Sequence, residues 1–477
     1  MRKRKITDYF LFRHRFAIGY ILLALAFALL LFLLPTLSPK GLSTAEMQSA
    51  VDSHAVSFDA ITKGEVVDLP YHALQKLSIS IFGLSAYAVE LPSILIGLAL
   101  GILLILLLNR WFKNNVALLA SILTILSTPF LYLVGSGTPL IMLVFWPTLL
   151  LWLGSKIQGV TRPRISYCFL FIFALIFSIF TPYIVYLAIL IFFYAIAHPH
   201  LRYTIKNLPR FSFILSCIVA IIGIGLIGYA AFKSPSTGME LFFAKDFNIA
   251  NFFSNIRLGF SPFLSWNGSV ESSLLSPMIG LPVIALAITG LISTAKGFFA
   301  SRNSIATLLF IFTILITGFN PDAAILTILP LAILVAHGIR YILEKWYGLF
   351  PENPYARIFA IIPISIFIAI IIVSGSSHFI FGYRYNPAVA NQFQTDLDLI
   401  YSKVTPDTTI LVSGGTLEYD FYHILSDQGK YLVTSTPDGI SGPIATLGKW
   451  PTNLNRQLSL IIPSPKSQNS DRIYLYK

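Results

Sequence analysis

Long apolar runs alternate with polar segments along most of the 477 residues of the chain. Eleven runs are long enough, or nearly so, to form a spanning helix, which needs about 20 apolar residues. They begin near Ala17, Leu91, Val116, Pro139, Tyr167, Pro182, Phe211, Met278, Ile305, Ala323 and Ile358. The pattern predicts an α-helical polytopic membrane protein with about eleven transmembrane helices.

Two of the intervening polar segments are long. In the first, residues 38–90, apolar residues recur at helical spacing from Met47 to Ile61, and a second amphipathic stretch runs from Pro70 to Gly83. Helices of this kind lie in the membrane interface and do not cross it. The second segment, residues 233–277, is rich in aromatic residues, as is typical of loops at the level of the lipid headgroups. We expect both segments to be external loops.

The composition changes beyond residue 376. Four short apolar runs, TTILV, KYLVTS, LSLIIP and RIYLYK, are separated there by turn residues and helix-like segments. Strands that alternate with helical patterns predict a small α/β unit. The sequence therefore divides into a transmembrane domain, residues 1–376, and a soluble extracytoplasmic α/β domain, residues 377–477, which we expect to fold separately from about Val389.

Hydrophobic residues make up 56% of the chain and charged residues 11%, which excludes a soluble protein. The net charge of +12 is unevenly distributed, because 19 of the 33 Lys and Arg residues fall on one side of the predicted spans and only six in the external loops. Cytoplasmic loops carry such an excess. We therefore predict a multi-pass protein of the plasma membrane with a cytoplasmic N-terminus, and the charge needs no nucleic-acid partner.

The first long polar segment carries several marks of a known loop. Glu46 follows the first apolar run by about ten positions, a Pro-led amphipathic helix ends in Phe82 and Gly83, and the second run opens with the Leu-Pro-Ser of residues 91–93. The segment resembles the first external loop of the GT-C glycosyltransferases. It is most similar to the protein mannosyltransferase and aminoarabinose transferase branch, which uses polyprenyl-phosphate sugars. Where those enzymes usually carry an Asp-Glu pair, this chain has Ala45 and Glu46.

The resemblance implies a glycosyltransferase that moves a sugar from a polyprenyl-phosphate carrier to a lipid, glycan or protein acceptor on the outer face. The leaving phosphate is a stable anion, so the reaction needs a carboxylate to take the acceptor proton, and cations to hold the phosphate. Glu46 is the first candidate for the carboxylate and Asp52 the second. Glu46 also completes a capping box with Ser43, in which its role is only to start a helix.

Five further side chains are candidates for substrate binding. Arg257 is the best phosphate ligand, because a guanidinium can contact two phosphate oxygens at once; the others are Lys245, Lys76, His54 and His72. The two histidines could also share a divalent metal with Glu46 or Asp52. No tight ligand spacing is present, however, so no residue is assigned to a metal, and a divalent ion is only a possible cofactor.

Two alternatives remain open. The first is a catalytically inactive GT-C-like scaffold or glycan-binding membrane protein, since Ala45 replaces the usual Asp. The second is a transporter or flippase. That class is less favoured, because transporters place ionisable residues within their spans and the predicted spans here contain almost none.

Overall fold

The computed structural model describes residues 14–37, 41–158, 165–208, 210–242, 249–264, 279–295, 297, 300–349, 352, 355, 359, 361–385, 389, 392–437, 440, 442–450, 454, 456–463 and 472–477. In chain order its helices up to residue 377 are α1 (Arg15–Leu37), α2 (Thr44–Ala55), α3 (Phe58–Thr62), α4 (Leu69–Phe82), α5 (Ala86–Trp111), α6 (Asn114–Ile125), α7 (Thr128–Gly135), α8 (Ile141–Gln158), α9 (Ile165–Ile179), α10 (Ile184–Ala197), α11 (Pro199–Lys206), α12 (Arg210–Lys233), α13 (Pro235–Phe242), α14 (Phe252–Leu264), α15 (Leu281–Ala295), α16 (Ser301–Phe319), α17 (Ile328–Leu349) and α18 (Ile361–Ser377). Short 3-10 turns cover Ile249–Asn251 and Pro321–Thr327, and a π-helical turn covers His378–Tyr383.

The apolar helices match the apolar runs of the sequence. Within the described ranges, five helices are long and apolar enough to cross a membrane: Ala86–Trp111, Ile141–Gln158, Arg302–Phe319, Pro321–Leu349 and Ile362–Phe381. The pair α6 and α7, bent by 56°, makes a sixth if counted as one span, and five other apolar helices have 10–17 residues. These elements coincide one for one with the eleven predicted runs, whereas the number that crosses the membrane stays a prediction.

Two features of the sequence shape the helix bundle. The bend between α6 and α7 falls just before Pro129, which lacks an amide hydrogen and disfavours helical backbone at the preceding residue. The helices α15 and α17 approach closely at Gly290 and Gly338. A Cβ atom on Gly290 would lie 1.9 Å from the Leu334 carbonyl oxygen, and one on Gly338 would lie 2.2 Å from that of Leu286. Only glycine permits this contact between helix backbones.

The first external segment folds into α2, α3 and α4, and its helix ends follow local capping rules. The hydroxyls of Ser43, Ser57 and Ser85 accept hydrogen bonds from amides in the first turns of α2, α3 and α5, which is the usual role of an N-cap serine. Pro70 lies in the first turn of α4, where its missing amide hydrogen costs nothing. Gly83 ends α4 with a φ of 77°, in the left-handed region that favours glycine.

The C-terminal part is a small α/β unit, as predicted. Its elements are β2 (Phe393–Gln394), α19 (Asp396–Lys403), β3 (Thr409–Leu411), α20 (Leu417–Asp427), β4 (Val433–Thr434), β5 (Ile444–Leu447), β6 (Leu458–Pro463) and β7 (Arg472–Tyr476). Five strands form a mixed sheet in the order β4-β3-β5-β7-β6, in which β4, β3 and β5 run parallel and β7 is antiparallel to both of its neighbours. Strand β2 pairs instead with β1 (Leu42–Ser43), just before α2.

The α/β unit packs directly on the first external segment. One hydrophobic cluster contains Met47 and Ile79 of that segment together with Ile400 and Phe421 of the α/β unit. The Tyr401 hydroxyl also donates to the Leu84 carbonyl at 2.8 Å. The two parts share a core, while the separate folding of the α/β unit and the exact boundary at residues 376 and 377 stay predictions.

Candidate functional site

The polar residues of the first external segment meet where α2 packs on α4. The loop after α7, residues 136–140, closes the same region. Tyr71 and Ser93 join α4 to α5, because their buried hydroxyls lie 2.8 Å apart. The Leu-Pro-Ser motif that opens the second apolar run therefore has a structural role, because its serine holds α4 against the bundle.

Glu46 lies at the start of α2 with only 2% of its surface exposed. Its Oε2 accepts hydrogen bonds from the amide of Ser43 at 2.8 Å and from the Ser43 hydroxyl at 3.0 Å, so the predicted capping box is present. Its Oε1 accepts from the amide of Gly137 at 2.9 Å. Burial raises the pKa of the Glu46 carboxyl, and these hydrogen bonds oppose the shift. Both oxygens are thus occupied, and the hydrogen bond from Gly137 fastens the 136–140 loop to α2.

Gln75 is the centre of a second buried network. Its side-chain amide nitrogen donates to the carbonyls of Val89, at 3.0 Å, and Gly137, at 2.9 Å. Its side-chain oxygen accepts from the hydroxyls of Ser49, at 2.8 Å, and Ser53. Gln75 and Ser53 are fully buried, so four elements of the fold are tied together at one satisfied amide.

His72 extends this network toward the outside. Its Nδ1 lies 2.8 Å from the Ser53 hydroxyl oxygen, and the residue is 6% exposed. Burial lowers the pKa of the His72 ring, while the negative charge of nearby Asp52 acts in the opposite direction. The ring is therefore neutral at neutral pH, and the charge that acts on it is that of the Asp52 carboxylate.

The other candidates of the first external segment are more exposed. On the outer face of α2, the Asp52 carboxylate accepts a hydrogen bond from the side-chain amide nitrogen of Gln48 at 2.8 Å. His54 Nε2 lies 2.8 Å from an Asp427 oxygen of α20, which makes it a contact to the α/β unit. The Lys76 ammonium donates to the carbonyls of His54, at 3.2 Å, and Val56, and so caps the end of α2. Of these three, Asp52 is the one that lies beside His72.

Asp68 is an acidic residue whose burial was not expected, since it lies in a polar, turn-rich stretch. It is 8% exposed, and its Oδ1 is a buried atom without a hydrogen-bond partner. Burial raises its pKa, an effect opposed by a hydrogen bond to Thr181 and strengthened by the charges of Glu240 and Asp52. The turn between α9 and α10 closes over Asp68, whose backbone amide donates to the Phe180 carbonyl at 2.8 Å.

Backbone strain is concentrated at the same place. Asp68 has a φ of 47° and Tyr183 a φ of 65°, and within the described part of the chain these are the non-glycine residues with positive φ. The Tyr183 amide donates to the Leu241 carbonyl at 3.1 Å, which brings α13 to this turn. Such strained residues persist where the surrounding structure holds them, and they cluster at functional sites.

Arg257 and Lys245 lie in the second external segment. Arg257 is exposed on α14, an amphipathic helix that packs mainly on α16 and on the 3-10 turn Pro321–Thr327. Arg257 thus lies on a different helix from the candidates of α2 and α4. Its exposed guanidinium is accessible to a lipid phosphate. Lys245 lies outside the described residues.

A metal site would need several His, Cys, Asp or Glu side chains that converge on one point. In the described ranges, no group of three or more His, Cys, Asp or Glu side chains is placed to hold a metal ion. His54 and His72 point to different partners, Asp427 and Ser53. The proposed sharing of a divalent ion by these two histidines is therefore not supported by the geometry.

Several functional candidates escaped the sequence reasoning. They are Ser49, Ser53 and Gln75. Ser49 and Ser53 are four residues apart, and Gln75 follows the predicted candidate His72 by three, so each pair occupies one face of its helix. That spacing of small and polar residues on the inner face was the available signal. The contribution of Gly137 carried no comparable signal, because it depends on the packing of a loop distant in sequence.

The family and fold can now be compared with those of known proteins. The sequence model of the dolichyl-phosphate-mannose-protein mannosyltransferase family matches residues 70–227, a range that begins in α4 and ends in α12. No curated protein sequence matches the chain.

Solved structures resemble the whole chain. ArnT from Cupriavidus metallidurans, determined with undecaprenyl phosphate bound, matches with a TM-score of 0.54 and 12% identity over 96% of this chain and 98% of that one. The oligosaccharyltransferase of Archaeoglobus fulgidus, determined with a tethered acceptor peptide, matches with a TM-score of 0.51 and 11% identity over 87% of this chain and 63% of that one. At such identities the likeness establishes the fold.

The family model covers about a third of the chain and the solved structures share its fold, so both comparisons agree with the resemblance to GT-C glycosyltransferases predicted from the first external segment. The predicted fold class, a polytopic helical protein with a small C-terminal α/β part, is confirmed. In fold, the chain is similar to ArnT along almost the full length of both proteins.

Proposed function

We propose that this protein transfers a sugar from a polyprenyl-phosphate carrier to a lipid, glycan or protein acceptor on the outer face of the plasma membrane. One observation carries the proposal: the chain shares its fold with ArnT over 96% of its own length and 98% of the length of ArnT. ArnT binds undecaprenyl phosphate in its solved structure. The family matched by residues 70–227 is described as acting with dolichyl-phosphate-mannose.

The charge distribution supports the orientation. Lys and Arg are concentrated in the segments between every second helix, and such segments face the cytoplasm. The N-terminus then lies in the cytoplasm, and the first external segment, the second external segment and the α/β unit lie outside. The polar site between α2 and α4 is in this arrangement an outer-face site at the level of the membrane surface.

The residues divide into three roles in this proposal. Arg257, with Lys245 nearby in sequence, holds the phosphate of the carrier, because a charge-assisted pair is the strongest contact available to it. Asp52, exposed beside His72, faces the side on which an acceptor enters. Glu46 supports the site by fastening the 136–140 loop, and its occupied oxygens favour this positioning role over direct proton transfer.

A second candidate function has an observation in its favour. Ala45 stands where the related enzymes usually carry Asp, and the neighbouring Glu46 is sealed by three hydrogen bonds. A GT-C-like scaffold or glycan-binding protein without activity would tolerate both features. Such a protein would bind the carrier lipid and leave it unchanged.

Reconstitution separates the two functions. Purified full-length protein in liposomes is given polyprenyl-phosphate sugars with a labelled sugar, together with an extract of lipid, glycan and protein acceptors from the same membrane. The proposal predicts label on an acceptor only when protein and lipid donor are both present. Saturable binding of the donor without any acceptor labelling, across the sugars tested, would contradict it and favour the inactive scaffold.

A further inference from the structure

We propose that His72 is the proton acceptor of the transfer reaction and that the fold holds its imidazole with the proton on Nδ1 and the lone pair on Nε2. The inference rests on the proposed function for its chemistry. The tautomer itself follows from the hydrogen bonds alone, in three steps that begin at Gln75.

The first step fixes the orientation of the Gln75 amide. One end of the amide faces the carbonyl oxygens of Val89 and Gly137. Carbonyl oxygens only accept hydrogen bonds, so the group that faces them must be the NH2, with each hydrogen donated to one carbonyl. The reverse orientation would place three buried oxygens against one another. The other end of Gln75 is therefore an oxygen, which only accepts.

The second step fixes the direction of the Ser53 hydroxyl. Its oxygen lies within a short hydrogen-bonding distance of the Gln75 side-chain oxygen. Two oxygens this close need a proton between them, and only Ser53 has one to give. The single hydroxyl proton of Ser53 is thus committed to Gln75, and the same oxygen can only accept from any other partner.

The third step assigns the imidazole proton. His72 Nδ1 lies 2.8 Å from the Ser53 oxygen, and a hydroxyl whose proton is already used can only accept from it. Nδ1 must therefore carry the ring proton, which leaves Nε2 with a free lone pair in the neutral ring. The ring also has hydrogen-bonding contacts with the Gln75 side chain and the Ser49 backbone, which favour the protonated ring and therefore act as acceptors. An acceptor cannot occupy the Nε2 lone pair.

The surroundings of the ring suit a base. Asp52 on α2 is the charged group that acts on it, and its negative charge stabilises the imidazolium formed when Nε2 takes a proton. Tyr71 packs edge-on against the His72 ring, with 5.8 Å between the ring centroids. Burial raises the pKa of the Tyr71 hydroxyl, so it stays neutral. Because burial lowers the pKa of His72, the ring is already unprotonated at neutral pH and ready to act.

The chemical step balances without any further reactant. The acceptor hydroxyl oxygen forms a bond to the anomeric carbon of the sugar, while the bond from that carbon to the phosphate oxygen breaks and its electron pair stays on the phosphate. The hydroxyl proton passes to His72 Nε2. The resulting imidazolium then releases the proton to water, which restores the base.

His72→Asn is the decisive variant. The Asn amide nitrogen occupies about the position of Nδ1 and keeps a donor to Ser53, but nothing replaces Nε2. Loss of a general base costs about 10²–10⁴-fold in rate, so we expect kcat to fall by that factor with little change in the KM for the lipid donor. The wild-type rate should decline on the acid side of the usual histidine pKa of 6.5, and this decline should be absent in the variant.

The matched control is His423→Asn on α20, a histidine outside the site, which should retain the wild-type rate and pH profile. A His72→Asn protein with the rate and acid-side decline of the wild type would overturn the role of His72 and leave the proposed function intact. No product from the wild-type protein would instead overturn the proposed function and, with it, this role.

The tautomer has its own test that needs no turnover. In full-length protein labelled with 15N in the histidine rings, the His72 signals, identified by their loss in His72→Asn, should show a protonated Nδ1 and a bare Nε2. Ser53→Ala, which removes the acceptor for the Nδ1 proton, should shift this population toward the other tautomer. A protonated Nε2 in the neutral ring of the unsubstituted protein would refute the assignment.

Discussion

Substitutions of Glu46 distinguish a positioning role of this residue from a catalytic one. Its carboxylate accepts from two backbone amides and one hydroxyl, with Ser43 on one oxygen and Gly137 on the other. Glu46→Gln keeps one acceptor oxygen and turns an NH2 group toward the remaining backbone amide. Glu46→Ala leaves all three donors without their acceptor. The two variants should therefore differ in stability by an amount that the hydrogen bonds determine.

The magnitude follows from those contacts. A buried donor left without an acceptor costs about 1–3 kcal/mol, so we expect Glu46→Gln to lower the free energy of unfolding by about that amount. Glu46→Ala loses the Gly137 contact and the capping box together, for which about 2–4 kcal/mol is expected. The amide is thus a poor substitute even for a purely structural carboxylate, since it cannot accept on both sides.

The assay measures thermal unfolding in detergent and transfer activity at a temperature well below the lowest midpoint. If Glu46 only positions the 136–140 loop, Glu46→Gln should keep a measurable kcat within about tenfold of the wild type under those conditions, because a loss of about 1.4 kcal/mol corresponds to a factor of ten. A fall of about 10²–10⁴-fold with unchanged stability is the signature of a general base. That result would refute the positioning role and return the base to Glu46.

Three further predictions follow from other contacts. Arg257→Ala should raise the KM for the lipid donor by about 10–100-fold, since a charge-assisted pair is worth ~1.5–3 kcal/mol. The control variant Lys233→Ala should change this KM little. Equal effects of the two variants in a donor titration would indicate that only general surface charge matters. Asp68→Asn should change the unfolding temperature little near pH 3.8, the usual pKa of the carboxyl, and should raise it increasingly as the pH rises above that value, because burial raises the pKa of the folded state and disfavours the charged form. A pH-independent difference would contradict this origin. In a chain that ends after Ser377, proteases should cleave the first external segment more readily, since that segment shares its core with the α/β unit. Resistance equal to that of the full-length protein would show that the segment folds alone.

Much of the fold was predictable because it depends on local or one-dimensional signals. Each apolar run became a helix or a bent pair, since a bilayer leaves few other structures for such a run. The capping box at Ser43 and Glu46 and the stop at Gly83 depend on neighbours within four residues, and both are present. The mixed sheet follows from short apolar runs between turns, although its strand order was not predicted.

The rest depends on contacts between distant parts of the chain. Gln75 donates to Gly137, which is 62 positions away in the sequence, and neither residue alone indicates that the two interact. Asp68 lies in a stretch whose composition is typical of exposed turns, yet the 180–183 turn buries it. The core shared by the α/β unit and the first external segment was not predicted, because the sequence does not show that Met47 and Ile79 pack on the α/β unit.

The central claim is that this outer site breaks the bond between a sugar and a polyprenyl phosphate. The most direct measurement follows the donor lipid by mass spectrometry in proteoliposomes that contain an acceptor extract, and it compares the full-length protein with its His72→Asn variant. We predict that the unsubstituted protein converts the phosphate-linked sugar into free polyprenyl phosphate and glycosylated acceptor in equal amounts, and that the variant does so about 10²–10⁴-fold more slowly. A donor lipid that binds and stays intact with both proteins would contradict the account.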